Sequence, residues 1–219
     1  MKPAYAATIL VLFLISCEQR TLTREETFWR WFEANEARLF EFEKDREKIF
    51  NELGTQLHRF NPGLTFEFGP KDDEGKREFV ISADGIKDVF PAVIALAQAA
   101  PKMDRWKVTK FRPRRLCGNT INFKGVTVTK DQVQFSMEAQ DKKVGIVLYI
   151  SGYQPNKKET YSGIGFLLLD DCLGEYDVET KVGSVDVLPS TAQVNEKKSP
   201  LSELTTSFDQ LFEKTLKGH

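Results

Sequence analysis

Between Leu64 and Leu188 the apolar pattern alternates between a strand period and a helix period in the order strand, strand, helix, strand, and then repeats that order. In the first round, Leu64–Phe68 and Glu78–Ala83 are short strand candidates joined as a hairpin by the polar stretch Gly69–Lys76. Ile86, Val89, Phe90, Val93, Ile94, Ala97 and Ala100 then mark a helix stopped by Pro101, and Trp106–Arg112 returns as a strand before Pro113. After short strand pieces at Thr120–Phe123 and Val126–Thr129, the second round begins. Val133, Phe135 and Met137 alternate with polar residues, Val144–Ser151 reads as a fully buried strand, Glu159–Cys172 as helical and Asp177–Leu188 as extended. Faint side-chain echoes accompany the repeat, with Phe66 and Phe68 against Phe135 and Met137, and Trp106-Lys107-Val108 against Tyr176-Asp177-Val178. The pattern predicts an α+β fold, two ββαβ-like units forming a largely antiparallel sheet with helices on one face. So faint a match is equally compatible with convergence and with duplication.

Upstream, Thr23-Arg24-Glu25-Glu26 has the spacing of a capping box, and apolar residues from Phe28 to Phe60 recur at steps of three, four or seven until Asn61-Pro62-Gly63. One long helix or two shorter ones follow, with Asn35 as the natural break because it can cap a new helix. The run Phe28-Trp29-Arg30-Trp31-Phe32 covers more than one helix face, so it is either wedged into the core or partly exposed as a contact belt. At the other end Ser199-Pro200 offers a cap and a first-turn proline for an amphipathic helix through Leu201, Leu204, Phe208, Leu211, Phe212 and Leu216. No linker divides the chain, and residues 23–219 read as a single α+β domain with a possible pseudo-repeat over 64–112 and 132–188.

The first residues carry a different message. Lys2 precedes an apolar run from Ala4 to Ile15 that is short of the ~20 residues a membrane-spanning helix needs and closes on Leu14-Ile15-Ser16-Cys17. This stretch resembles the signal and lipobox of bacterial lipoproteins. The resemblance implies that residues 1–16 are a signal peptide, that Cys17 is the first mature residue and carries acyl chains, palmitate among them, and that residues 17–22 are a lipidated tether. The protein is then expected in the bacterial cell envelope, facing the periplasm or the surface, with the membrane as a partner through its anchor. Glu18, which is not the aspartate linked to inner-membrane retention, tips the expectation toward the outer membrane. With Cys17 acylated, Cys117 and Cys172 remain, and an envelope location allows them to form a disulfide; two separate buried thiols are the alternative.

Charge and motif content narrow the chemistry. Thirty-one Lys and Arg against 32 Asp and Glu give a formal charge of −1, without the basic field that nonspecific nucleic-acid binding needs. The two histidines are His58 and His219, and no G-x-S-x-G, H-E-x-x-H or Walker lysine loop occurs, so the sequence points to no cofactor, no metal and no catalytic residue. Ser162-Gly163-Ile164-Gly165 could cradle a phosphate if it preceded a helix, but otherwise serves close helix–sheet packing. Asp170, Asp171, Glu175 and Asp177 could bind calcium or supply a general acid, or could form a solvated helix end capped by Gly174.

Arg112, Arg114 and Arg115, with Lys110, form the densest basic group, and are the candidate ligand-binding residues for a carboxylated or phosphorylated envelope polymer or an acidic protein face. The alternative is that they form internal ion pairs. The run Phe28–Phe32, with Leu39-Phe40 and Phe66-Glu67-Phe68-Gly69-Pro70, is similar to an uncharacterised bacterial family, a resemblance that implies no activity. The sequence therefore favours a membrane-anchored, non-enzymatic binding or interaction module. The alternative is a tethered hydrolase acting on envelope polymer through Asp/Glu carboxylates.

Overall fold

A computed structural model describes residues 21–194 and 196–217, and the expected signal peptide, Cys17 and His219 lie outside them. The chain enters through α1 (Arg24–Ala34), where Thr23 and Glu26 form the reciprocal capping box. Asn35 ends α1, and α2 (Glu36–Phe40) follows. A single 3₁₀ turn then leads into α3 (Arg46–Phe60), a second break that the apolar spacing alone does not reveal. Phe28, Trp29 and Phe32 are buried and Trp31 is half-buried, so the aromatic run is core, not a contact belt. The Trp29 indole N–H donates to the Leu96 carbonyl at 2.8 Å, which satisfies its polar atom inside that core.

Both ββαβ rounds form. In the first, β1 (Thr65–Lys71) pairs antiparallel with β2 (Arg77–Ser82); α4 (Phe90–Gln98) crosses over, and β3 (Trp106–Lys110) lies parallel to β2 on its other side. A ribbon of β4 (Ile121–Phe123) and β5 (Val126–Val128) intervenes. In the second round, β6 (Val133–Gln140) and β7 (Lys143–Ile150) form the hairpin. The crossover runs through α5 (Lys158–Leu173) and α6 (Glu175–Lys181), and β8 (Val182–Pro189) is parallel to β7. β9 (Ser199–Pro200) joins the other edge of β6, and α7 (Leu204–Lys217) closes the described chain.

The α+β class holds, with three corrections of detail. The units keep separate sheets, ordered β1-β2-β3 and β8-β7-β6-β9, because each buries its own apolar face. Phe79 and Ile81 of β2 pack with α1, α3 and α4, whereas Ile146 and Leu148 of β7 pack with α5 and α7. Tyr176-Asp177-Val178 belongs to α6, not to a strand, so the true counterpart of β3 is β8 and the echo with Trp106–Val108 is coincidental. Ser199-Pro200 likewise forms a strand: a proline lacks an N–H but can sit at a sheet edge, and here it faces Gln134.

Candidate functional site

The segment Phe111–Asn119 stitches the two units together. Phe111, with φ 63°, turns the chain out of β3 and packs its ring, tilted, 4.5 Å from Phe90 and 5.2 Å from Tyr176 of α6. The chain then passes so close to the end of α5 that a Cβ on Gly174, itself at φ 78°, would sit 3.1 Å from both the Arg112 carbonyl oxygen and the Arg114 nitrogen. Only glycine accommodates both the approach and the left-handed backbone. Beyond it, Arg115 N–H donates to the Asp171 carbonyl at 2.8 Å and Asn119 Nδ2 donates to Asp171 Oδ1 at 2.8 Å. A disulfide joins Cys117 to Cys172, with Cα atoms 4.3 Å apart.

Arg112 and Arg114 are spent within the chain, and Arg115 is held more loosely. Arg112 donates to Glu67 at 2.6 Å and to Asp84 at 2.8 Å, and stands 3.8 Å from Asp170. Burial works against its charge, but these two carboxylates outweigh that cost and hold the guanidinium above its ordinary pKa. Arg114 donates to the Leu173 carbonyl at 2.9 Å and bridges Asp177 and Asp209. Arg115 makes one 3.2 Å bond to Glu67. Arg112 and Arg114 thus form the internal ion pairs that the sequence offers as the alternative to an anion clamp, with acidic partners from β1, the turn after β2, α5, α6 and α7 that the basic cluster alone does not reveal.

What these contacts frame is a cleft of about 470 Å³ between the units. Glu67 to Pro70 of β1 form one wall, and Leu167, Asp170 and Asp171 of α5 the other. The stitching segment supplies the floor through Pro113, Arg115 and Asn119. Charged and amide side chains, Glu67, Arg112, Arg115, Asn119, Asp170 and Asp171, alternate with apolar ones in its lining, and it lies between two units, where small-ligand sites concentrate.

Asp170 is the unusual group in it. No hydrogen bond to its carboxylate occurs among the described residues, and its side chain keeps 21% of its exposure. Burial, with repulsion from Glu175, Glu179 and Asp84, outweighs the Arg112 attraction and pushes its pKa up to about 6. The folded state therefore binds a proton more tightly than the unfolded chain. The resulting stabilisation is complete below the ordinary carboxylate pKa and is lost as pH rises through about 6; the full difference amounts to at most about 3 kcal/mol. Asp170→Asn is expected to raise stability by about 1–3 kcal/mol near neutral pH and to flatten the pH dependence between about 4 and 7 in urea unfolding. An unchanged pH profile in the variant would show that Asp170 does not carry the effect.

The remaining sequence candidates resolve simply. Gly163 and Gly165 lie inside α5, where a Cβ would come within 2.7 Å of Phe123 and 2.6 Å of Val187, so they serve close packing and cradle no phosphate. His58 is exposed on α3. Among the described residues, no group of three or more His, Cys, Asp or Glu could hold a metal, and no helix is long and apolar enough to cross a membrane. Glu67 and Leu167 escape sequence reasoning, although both leave a trace: Glu67 is the polar position between Phe66 and Phe68, and Leu167 lies in the run Ile164–Leu169, which is apolar right around the helix.

By its fold the chain is an α+β protein of two ββαβ units stitched across a cleft. Comparison with protein-family models, curated proteins and solved structures finds no match.

Proposed function

We propose that this is a lipid-anchored protein of the bacterial envelope, held through Cys17, that binds a partner in the cleft between its two units. The lipobox supports the anchor, and the Cys117–Cys172 disulfide fits an oxidising compartment. The observation that carries the binding role is the preformed cleft. Its walls are fixed by the disulfide and the arginine pairs, which reduces the ordering cost of capture. The cleft tests the role directly: a photo-crosslinking residue in place of Leu167, in the anchored protein in its native envelope, is expected to capture a partner. Crosslinks no more abundant than those from a probe at the remote surface position Arg30 would sink the binding role.

The anchor has its own test. Cys17→Ser is expected to abolish acylation and leave unprocessed precursor, read by mass spectrometry of the membrane fraction. An acyl-free mature N-terminus elsewhere would overturn the assignment.

A second reading rests on Asp170. A carboxyl with a pKa of about 6 in a cleft is suited to general-acid catalysis near neutral pH, which a tethered hydrolase of envelope polymer requires. In that reading Asp170→Asn abolishes release of cleavage products from purified envelope polymer, whereas a binding module releases none in either form.

A further inference from the structure

We propose that the cleft between the two units takes a neutral, polyhydroxylated chain, a glycan segment, whose hydroxyls bond Asp170, Asn119 and Arg115 while its C–H faces lie against Leu167 and Ile121. This deepens the proposed binding role and rests on it.

Charge is the first argument. The cleft is lined by two arginines and three carboxylates, Glu67, Asp170 and Asp171, so its own balance is −1. Arg112 is committed to Glu67 and Asp84, which leaves no concentrated positive field for an acidic polymer. Glu67 is held by two arginines and Asp171 by Asn119, so among the three carboxylates Asp170 is the one without a hydrogen-bond donor among the described residues.

Unspent hydrogen-bonding capacity is the second. The Asp170 carboxylate has lone pairs that no described residue fills. Arg115 uses one of its N–H groups on Glu67, and the Asn119 side chain uses its N–H on Asp171, leaving its carbonyl oxygen. The site thus offers donors and acceptors side brought together on one floor. A hydroxyl both donates and accepts, so a row of hydroxyls matches this mixture where a uniformly charged ligand cannot.

Backbone geometry argues against the other neutral polymer with mixed polarity, an extended peptide. The β1 wall of the cleft contains Pro70, which has no N–H, and the ladder register breaks between Phe68 and Lys71. It therefore presents no regular strand edge for a peptide to extend. The apolar surfaces instead suit the C–H faces of sugar rings: Leu167 is 39% exposed on α5, and Ile121, on the β4 strand packed against α5, lines the same cleft.

The test uses the acylated full chain in detergent, with cellotetraose and tetra-N-acetylchitotetraose as neutral probes, polyglutamate as the acidic one and a Gly-Ser peptide as control, all by calorimetric titration. One or both tetrasaccharides are expected to bind, with little change on raising the salt, because the contacts are not between net charges. Asp170→Ala is expected to weaken binding about tenfold or more, as loss of bonds to a charged acceptor should. Arg30→Ala, on the exposed face of α1, should leave it unchanged. Affinity should also fall as pH drops through about 6, where the Asp170 acceptor becomes protonated. Tetrasaccharide binding indifferent to Asp170→Ala would overturn the proposal, as would preferential binding of polyglutamate or of the peptide. If the sugars give no heat while the Leu167 crosslinker still captures a partner, the glycan assignment fails and the binding role stands; if both are negative, the binding role itself fails.

Discussion

Replacing Cys117 and Cys172 together by alanine is expected to lower stability by about 4 kcal/mol, from the entropy that a crosslink over a separation of 55 residues removes from the unfolded chain. The double variant isolates this effect, since a single substitution would leave a lone thiol against the fully buried Cys172 site. The closed loop contains the β4–β5 ribbon, the β6–β7 hairpin and nearly all of α5, so the loss falls on the second unit and on the stitching segment. For a chain of this size the loss corresponds to a fall in melting temperature of roughly 8–16 °C. Thermal unfolding of wild type and variant, each with and without reductant, measures it. Reductant should shift the wild type toward the variant and leave the variant unmoved. A double variant within about 1 kcal/mol of wild type would mean that the packing of Phe111 and Gly174 already fixes the segment without the bond.

The secondary structure of both units was legible because their strands and helices are patterned locally. Val133, Phe135 and Met137 alternate because β6 buries one face, and Phe28, Phe32, Ile49 and Leu53 recur at helical steps because α1 and α3 cover one side of a sheet. Sheet membership was not legible. Whether β3 and β6 share a sheet depends on which partners their edges find, and nothing in the alternation of either strand encodes that choice. α6 was read as strand because Tyr176, Val178, Val182 and Val185 allow either period over a short run, and the positive φ of Gly174, which restarts the helix, is a backbone fact.

The candidate site was half legible for a related reason. Sequence reasoning singled out the segment that lines the cleft, since an arginine cluster beside a proline and a cysteine is visible in one line of residues. It did not reach the arginines' partners, because Glu67, Asp84, Asp177 and Asp209, which pair with them, come from distant parts of the chain. Asp170 inverts the case. It lies in an acidic run that reads as a solvated helix end, and only burial beside Glu175 and Glu179 makes it a group with a raised pKa in a cleft. Keeping a carboxylate there costs stability near neutral pH, a cost commonly found at functional sites and rarely on a plain helix end.

Glu175→Ala is expected to be the most damaging single substitution at the junction. Its side chain is fully buried and accepts three backbone N–H groups: Ala83 at 2.8 Å and Gly85 at 3.2 Å on Oε1, and Arg112 at 3.0 Å on Oε2. Two of those donors belong to the turn after β2, where Asp84 and Gly85 adopt φ of 51° and 77° and so aim successive N–H groups at one point. The third belongs to the stitching segment, and Glu175 N–H returns a bond to the Arg112 carbonyl at 3.0 Å. One carboxylate from the second unit thus clasps two separate parts of the first. Truncation to alanine leaves one buried and two part-buried donors without an acceptor, at about 1–3 kcal/mol each before relaxation, for a loss of about 4 kcal/mol. Glu175→Gln separates charge from shape. Its amide oxygen can serve the Ala83 and Gly85 donors, but its NH₂ then faces the Arg112 N–H, so a loss of about 2 kcal/mol is expected. Urea unfolding gives both values, and amide hydrogen exchange at Ala83, Gly85 and Arg112 localises them: those three amides should lose protection in both variants, while Phe79 and Leu148, deep in the two sheets, should lose it only in proportion to global stability. Equal stability of wild type and Glu175→Gln would show that any acceptor of the right shape suffices. A Glu175→Ala variant with unchanged protection at Ala83 and Arg112 would remove the clasp altogether.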